Sequence, residues 1–471
     1  MKLSFFEIEK KGEIFMEQTT IAAISTPHAM GGIGIVRLSG PDAREIASRV
    51  FTPKSSRKTL KSAPGYTAIY GRVHEGKREL DDAIALVFSA PKSYTGEDVV
   101  ELSCHGGLYL MQRVLRAVLD AGAVPAQAGE FTKRAFLNGK LSLTQAEGVM
   151  DLIASQGEQA ARAALSARDG ALFERIKQVK QSLLTLSGHL SAWIDFPEED
   201  VPELSDQELS QTLCQAVDEL ETLLSSYDVG QLIKNGVETA IVGRPNVGKS
   251  TLMNLLSGRE KSIVTNIPGT TRDIVEDSVN IGDVVLHLYD TAGIRRTDDP
   301  VEQVGVERAK GKIETAQLVL ALFDSSRELS EEDKELIDTI QGRPCIAVVN
   351  KNDLEQKMDL SYLQEHFSHI ISISAYQKTG VDQLSACIHE VLGMMDLDTS
   401  AGILANERQR GCAKQALDAL QEAQQAYQMG ITLDAVGVEV QSALEALMEL
   451  TGEQVSESVI DEVFSKFCVG K

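Results

Sequence analysis

The residues Gly243, Arg244, Pro245, Asn246, Val247, Gly248, Lys249 and Ser250 read G-x-x-x-x-G-K-S, between the strand-like run VETAIV and a helical stretch. Glycines at those two places let backbone N–H groups close on phosphate oxygens, and a helix N-terminus adds a favourable dipole. Lys249 then reaches the β/γ-phosphates, the Ser250 hydroxyl suits Mg²⁺, and the phosphate-facing set runs from Asn246 through Val247, Gly248, Lys249 and Ser250 to Thr251. Downstream, Asp290-Thr291-Ala292-Gly293 ends the run VVLHLY, placing a carboxylate on the Mg²⁺ side and the Gly293 amide where a γ-phosphate would be sensed. Asn350-Lys351-Asn352-Asp353 follows CIAVV. A carboxylate at Asp353 accepts from both N1–H and the exocyclic amine of guanine, a donor pair that adenine lacks. Ser374-Ala375, after HIISI, suits the guanine carbonyl. Together these elements predict a site for guanine nucleotide.

Between the first two elements lies Gly269-Thr270-Thr271-Arg272-Asp273. A loop threonine that closes on Mg²⁺ only when the γ-phosphate is present makes a switch, and Thr271 is assigned that role. Arg272 and Asp273 are read equally well as a local ion pair or as catalytic groups. In Ras-like enzymes a Gln after the D-x-x-G element orients the attacking water. Here Ile294 stands in that place and has no polar atom, so another group must act. Glu302 is the preferred carboxylate, with Asp298 and Asp299 behind it.

The elements that must position these residues change character along the chain. Over 236–393 strands and helices alternate, as in a doubly wound parallel sheet. Residues 19–138 read as an α+β domain, with strand-like TTIAAIS, GIGIVRLS, YTAIYGRV and DDAIALVF, and a helix LYLMQRVLRAVLDAG that ends at Gly122. Helical blocks at 139–235 and 394–471 flank the nucleotide region, so the simplest architecture is a helical domain interrupted by an insertion. Thr144 with Glu147, and Ser205 with Glu208, are expected to form capping boxes. Leu209, Leu213, Val217, Leu220 and Leu224, then Leu417, Leu420 and Ala423, then Leu444, Leu447 and Leu450 recur at helical spacing. Residues 1–18 read as an extension, with Met16 as an alternative start; they do not form a secretory h-region. No apolar run reaches the roughly 20 residues that span a bilayer, and a cytoplasmic protein without membrane contact is expected.

Composition narrows the partners. With a net charge of −23 the chain is a poor general phosphate binder, so any RNA contact needs a local basic surface or a partner. The six cysteines include no C-x-x-C pair, which argues against a zinc site or a disulfide framework. GGIG at 31–34 lacks the third glycine of a dinucleotide fingerprint.

Four further segments are GGIGIVRLSGP at 31–41, YTGEDVVELSCHGG at 94–107, GEFTKRAFLNGKLSLTQAE at 129–147 and the terminus Cys468-Val469-Gly470-Lys471. In order and spacing the chain resembles the MnmE (TrmE) family of tRNA modification GTPases from about residue 19 to 471. The resemblance implies a multidomain α/β chain: an N-terminal α+β folate-binding and dimerisation domain (19–138), a helical domain (139–235 and 394–471) and an inserted Ras-like doubly wound α/β G domain (236–393). It implies carboxymethylaminomethyl or aminomethyl groups placed on carbon 5 of the wobble uridine of certain tRNAs. It also implies a homodimer that joins an FAD-dependent partner, MnmG (GidA), in a heterotetramer. Its cofactors would be Mg²⁺, K⁺ and a 5,10-methylene- or 5-formyl-tetrahydrofolate derivative. Asn246, Thr265, Ile267 and Thr270 would then hold K⁺, and the family match favours Glu302 further. Arg37, Glu101, Lys140 and Lys471 match folate-contacting positions, although Arg37 and Glu101 also suit an ion pair with each other and Lys140 a solvated face. Cys468 matches the family's functional C-terminal cysteine; taken alone it reads as an ordinary thiol. The competing readings are a regulatory GTPase of the ribosome-assembly type and a folate-binding scaffold whose GTPase only drives conformational change.

Overall fold

The computed structural model describes residues 19–55, 59–195, 205–258, 277–290, 315–394, 398 and 400–471. These residues fall into two compact units, one reaching Ala146 and rejoined by Val455–Lys471, the other running from Glu147 to Gln454.

The first unit is built on a seven-stranded sheet. Its strands are β1 (Ile21–Ile24), β2 (Ile33–Ser39), β3 (Phe51–Pro53), β4 (Thr67–Glu75), β5 (Arg78–Phe88), β6 (Val99–His105) and β7 (Val124–Pro125), in the order β3-β4-β5-β6-β2-β1-β7. Alternation along β2 turns Val36 and Leu38 into the core beneath helices Ala43–Val50 and Leu108–Asp120, and leaves Arg37 on the other face. The chain end belongs here. Helix Glu457–Ser465 sets Phe464 against Phe136 of helix Glu130–Leu137, with ring centroids 6.2 Å apart, and Lys133 pairs with Asp461 at 2.6 Å. Val455–Lys471 thus group in space with the N-terminal unit.

In the second unit, helices Ala171–Asp195, Asp206–Ser225, Glu407–Gln428 and Leu433–Thr451 share one core that includes Leu183, Leu213, Leu220, Leu420, Leu444 and Leu447. The heptad-like leucines of the sequence are this core. Ser205 and Glu208 do form a capping box. Thr144 and Glu147 do not. The helix Leu143–Ala154 is instead entered through Ser142, whose hydroxyl accepts from the Gln145 N–H at 3.2 Å while the Gln145 side chain accepts from the Ser142 N–H at 2.9 Å. Thr144 and Glu147 point inward, 1% and 6% exposed, and Glu147 is taken by Arg408.

The remainder of this unit is a six-stranded sheet of β8 (Val237–Gly243), β9 (Asp277–Ile281), β10 (Val284–Asp290), β11 (Leu318–Asp324), β12 (Cys345–Asn350) and β13 (Ile370–Ser372). The order is β13-β12-β11-β8-β10-β9, and every neighbouring pair is parallel except β9 with β10. Both faces are covered, one by Leu252, Leu384 and Ile388, the other by Ile337, Ile340 and Leu363. Burial on both sides is why β11 reads as the unbroken run LVLALFD. Among the described residues, no helix is long and apolar enough to cross a membrane.

Candidate nucleotide and tail sites

Register aligns the carboxyl ends of the parallel strands. Leu322 of β11 pairs with Gly243 of β8, Asp324 with Asn350 of β12, and Asp290 of β10 with Ile241. The loops leaving these ends share one edge of the sheet, where open α/β folds take their ligands. From Gly243 the chain turns through Asn246, at φ 66°, and Gly248, at φ 105°, into helix Lys249–Ser257. Gly248 cannot be replaced without displacement: a Cβ there would lie 2.3 Å from the Asn350 amide nitrogen. Lys249 is 9% exposed and folds back over the loop, donating to the Gly243 carbonyl at 2.7 Å and the Arg244 carbonyl at 3.0 Å. Ser250 and Thr251 follow it, exposed, in the first turn, where the helix N–H groups have no intrahelical acceptor. A glycine cradle, a retained ammonium and an open helix N-terminus fit a polyphosphate.

The residues expected to read the base are bound to that loop and to each other. Asn350 donates to the Val247 carbonyl at 2.8 Å and accepts from the Ala375 N–H at 3.0 Å. Lys351, at φ 67°, donates to the Asn246 carbonyl at 2.8 Å and to Asp324 at 2.6 Å. Ser374 is fully buried; its hydroxyl donates to the exposed Asp353 carboxylate and accepts from the Gln377 N–H at 3.0 Å. The structure thus assembles Asn246, Val247, Gly248, Lys249, Asn350, Lys351, Asp353, Ser374 and Ala375 through direct contacts. Asp324 is a residue the sequence reading missed. Burial opposes its ionisation, but hydrogen bonds from Lys351 and Ser326 outweigh that and hold its carboxyl below the usual value. Thr265, Ile267, Thr270, Thr271, Arg272, Asp273, Gly293, Ile294, Asp298, Asp299 and Glu302 lie outside the described residues.

A second group of predicted residues meets in the first unit. Arg37 and Glu101 are directly opposed on β2 and β6 and pair at 2.8 Å, with side chains 17% and 15% exposed. The Arg37 guanidinium also lies 5.5 Å from the centre of the Phe131 ring and donates to the Gly470 carbonyl at 3.3 Å. The tail is held by main-chain bonds, from the Gly129 N–H to Cys468 and from the Phe131 N–H to Lys471. Burial, reinforced by the neighbouring Arg37, lowers the Lys471 ammonium below its usual value against the opposing pull of Glu101 and Cys468. Cys468 is exposed. Lys140 instead donates to the Pro91 carbonyl at 3.2 Å. Among the described residues, no group of three His, Cys, Asp or Glu side chains is arranged to hold a metal ion.

A P-loop, an N-K-N-D turn and a buried Ser-Ala turn on one mostly parallel sheet, inserted between halves of a helical bundle, define a GTPase with an α-helical scaffold. The family model described as the MnmE helical domain matches residues 143–468, and that described as the GTP-binding protein TrmE N-terminus matches residues 20–140. The chain belongs to the MnmE family of tRNA modification GTPases. Proteins named tRNA modification GTPase MnmE are 42% identical over 460 residues in Symbiobacterium thermophilum and 39% over 461 in Natranaerobius thermophilus, each alignment covering 97% of this chain and 100% of the relative. Among solved structures, the G domain of the T. maritima FeoB iron transporter is 26% identical, with 33% of this chain and 98% of that chain covered and a TM-score of 0.26.

Proposed function

We propose that this chain is the GTP-hydrolysing component of the enzyme that installs carboxymethylaminomethyl or aminomethyl groups at carbon 5 of the wobble uridine of certain tRNAs. It acts in the cytoplasm as a homodimer with an FAD-dependent partner, MnmG, in a heterotetramer. What supports the reading is the occurrence, within one chain of this family, of P-loop and N-K-N-D turns and of a C-terminal tail whose Gly470 carbonyl accepts from Arg37, the ion-pair partner of Glu101.

In this reading the loop amides and Lys249 hold the β- and γ-phosphates, Asp353 reads the base, and Ala375 closes over the guanine carbonyl. Ser250 and Thr271 hold Mg²⁺, and Asn246, Thr265, Ile267 and Thr270 hold K⁺; a cation there neutralises charge that develops on the phosphates. Asp290 places a carboxylate on the Mg²⁺ side, the Gly293 amide senses the γ-phosphate, and Glu302 orients the attacking water. In the first unit Arg37, Glu101, Lys140 and Lys471 hold a tetrahydrofolate derivative, which when bound supplies a one-carbon unit. Cys468 stands beside that ligand as a thiol. The acidic chain reaches tRNA through its partner or through a local basic surface.

The test is the nucleoside profile of total tRNA from cells with and without the protein, complemented by the wild-type chain. Loss of the carbon-5-modified wobble uridine, restored on complementation, is the expected result. An unchanged profile overturns the proposal.

A further inference from the structure

Strand β11 carries none of the recognised nucleotide motifs, yet its last residue stands between two of them. Asp324 is 7% exposed. One carboxylate oxygen accepts from Lys351 Nζ at 2.6 Å, and the other accepts from the Ser326 N–H at 3.1 Å and its hydroxyl at 2.6 Å. The same Lys351 ammonium donates to the Asn246 carbonyl at 2.8 Å. Its two partners therefore belong to different loops, one on the strand beside the base-recognition turn and one in the phosphate loop.

Backbone geometry makes this contact consequential. Lys351 and Asn246 are non-glycine residues at φ 67° and 66°. Such conformations are disfavoured and persist only where the surroundings over-determine them. The turn after Asp324 contributes: the Ser325 N–H donates to the Asn350 carbonyl at 3.0 Å, and the Ser325 hydroxyl donates to the Lys351 carbonyl at 2.9 Å. A lysine stem has several rotors and an ammonium that is otherwise strongly hydrated. A nearly buried carboxylate 2.6 Å away selects the one arrangement that also reaches Asn246.

We infer that Asp324 is a positioning residue for guanine-nucleotide binding and hydrolysis, acting through Lys351 to lock the phosphate loop at Asn246 to the base-recognition turn. The inference deepens the reading of Asn350–Asp353 as the guanine site and rests on it. A lone structural ion pair would contribute to stability in the same way with or without nucleotide; this one acts on nucleotide affinity.

A double-mutant cycle on the full chain tests it, with dissociation constants for GDP and a non-hydrolysable GTP analogue measured for Asp324→Asn, Lys351→Met and the pair, and with thermal unfolding of the nucleotide-free proteins recorded in parallel. Asp324→Asn is expected to weaken binding by roughly 10-fold or more, as for loss of a hydrogen bond between charged groups. The double variant should bind no more weakly than Lys351→Met alone, because Asp324 has then lost the group through which it acts. If Asp324→Asn does not fold, Asp324→Ser is read in the same cycle. Wild-type affinity in the Asp324 variant, or losses that multiply in the pair, overturn the inference. Asp353→Asn separates the two levels. Unchanged GTP affinity there overturns the base-site reading and the inference with it, whereas weakened affinity there with multiplying losses at Asp324 and Lys351 overturns the inference alone.

Discussion

Arg37 donates to the carbonyl of Gly470 at 3.3 Å, so a guanidinium on the second strand of the sheet holds the penultimate residue of the chain. The tail can approach this closely because Gly470 adopts φ 97° and has no side chain; a Cβ would lie 2.4 Å from the Ile24 carbonyl oxygen. Gly470→Ala is therefore expected to displace Lys471 from Arg37 and to weaken binding of a formylated tetrahydrofolate by about 10-fold or more, as when a charged hydrogen-bonding group is lost. Calorimetry on the intact protein measures this, with GTP affinity as the internal control. Equal folate affinity in the variant and the wild type would show that the tail does not contribute to the site.

Cys468 lies on the same tail, in a unit distinct from the one that carries the nucleotide motifs. Cys468→Ser should leave GTP hydrolysis near the wild-type rate and abolish wobble-uridine modification. Complementation followed by tRNA nucleoside analysis decides it. Normal levels of modified uridine in the variant would mark the thiol as structural.

The P-loop and N-K-N-D turns were legible because each packs its chemistry into adjacent residues and announces its strand and helix. Asp324 was not, because its role arises from register: β11 lies between β8 and β12, and no local pattern in LVLALFD distinguishes a strand-ending carboxylate from an ordinary one. The helix entry at Ser142 is ambiguous in the sequence for a similar reason. Both Ser142–Gln145 and Thr144–Glu147 satisfy the capping pattern, and burial of Glu147 against Arg408, far along the chain, decides between them. The return of Val455–Lys471 to the N-terminal sheet is equally non-local. Helical periodicity shows that Glu457–Ser465 is a helix but does not say which face of which domain receives Phe464.

The Glu147 contact itself yields a stability prediction. Both carboxylate oxygens accept from Arg408, at 2.9 and 2.8 Å, and Gln409 donates at 2.6 Å, while Arg408 also donates to the Glu449 and Leu450 carbonyls at 3.0 and 3.1 Å. Glu147→Ala leaves a largely buried guanidinium without its counter-charge, which typically costs about 3 kcal/mol or more. Arg408→Met in the same background should recover part of that loss by removing the unpaired charge. Chemical denaturation of the two variants checks the sign and the recovery; a Glu147→Ala protein as stable as wild type would show the pair to be energetically neutral.

At the base site, Asp353→Asn replaces one paired acceptor with an amide and should weaken GTP while favouring xanthosine triphosphate, whose base offers a carbonyl where guanine has an amine. The loss expected for a charged hydrogen-bonding group is on the order of 10- to 100-fold. Because Ser374 donates to Asp353 from a fully buried position, part of the loss will come from relaxation of that turn. Titration with both nucleotides separates the effects, since relaxation alone weakens both. Unchanged GTP affinity would remove Asp353 from the site.

The hydrolytic step is where Ile294 rules out the Ras-type solution, since a side chain without polar atoms cannot orient water. The proposed replacements are a K⁺ ion held in part by Asn246 and a water oriented by Glu302. Asn246 sits in the phosphate loop with its carbonyl bound by Lys351, so its main chain is fixed independently of its side chain. Asn246 stands at φ 66°, where alanine would strain the loop, so Asn246→Gly is the variant expected to keep the loop intact while removing most of the difference in rate between K⁺ and Na⁺ buffers. Glu302→Ala should lower the rate by about 10²–10⁴-fold, the usual contribution of a positioned base or water-orienting group. Nucleotide affinity should remain nearly intact, because such a group acts near the transition state. Single-turnover hydrolysis in the two salts, with affinities measured separately, resolves both halves. Equal wild-type rates in K⁺ and Na⁺ would eliminate the cation, and an unimpaired Glu302→Ala enzyme would pass the water-orienting role to Asp298 or Asp299.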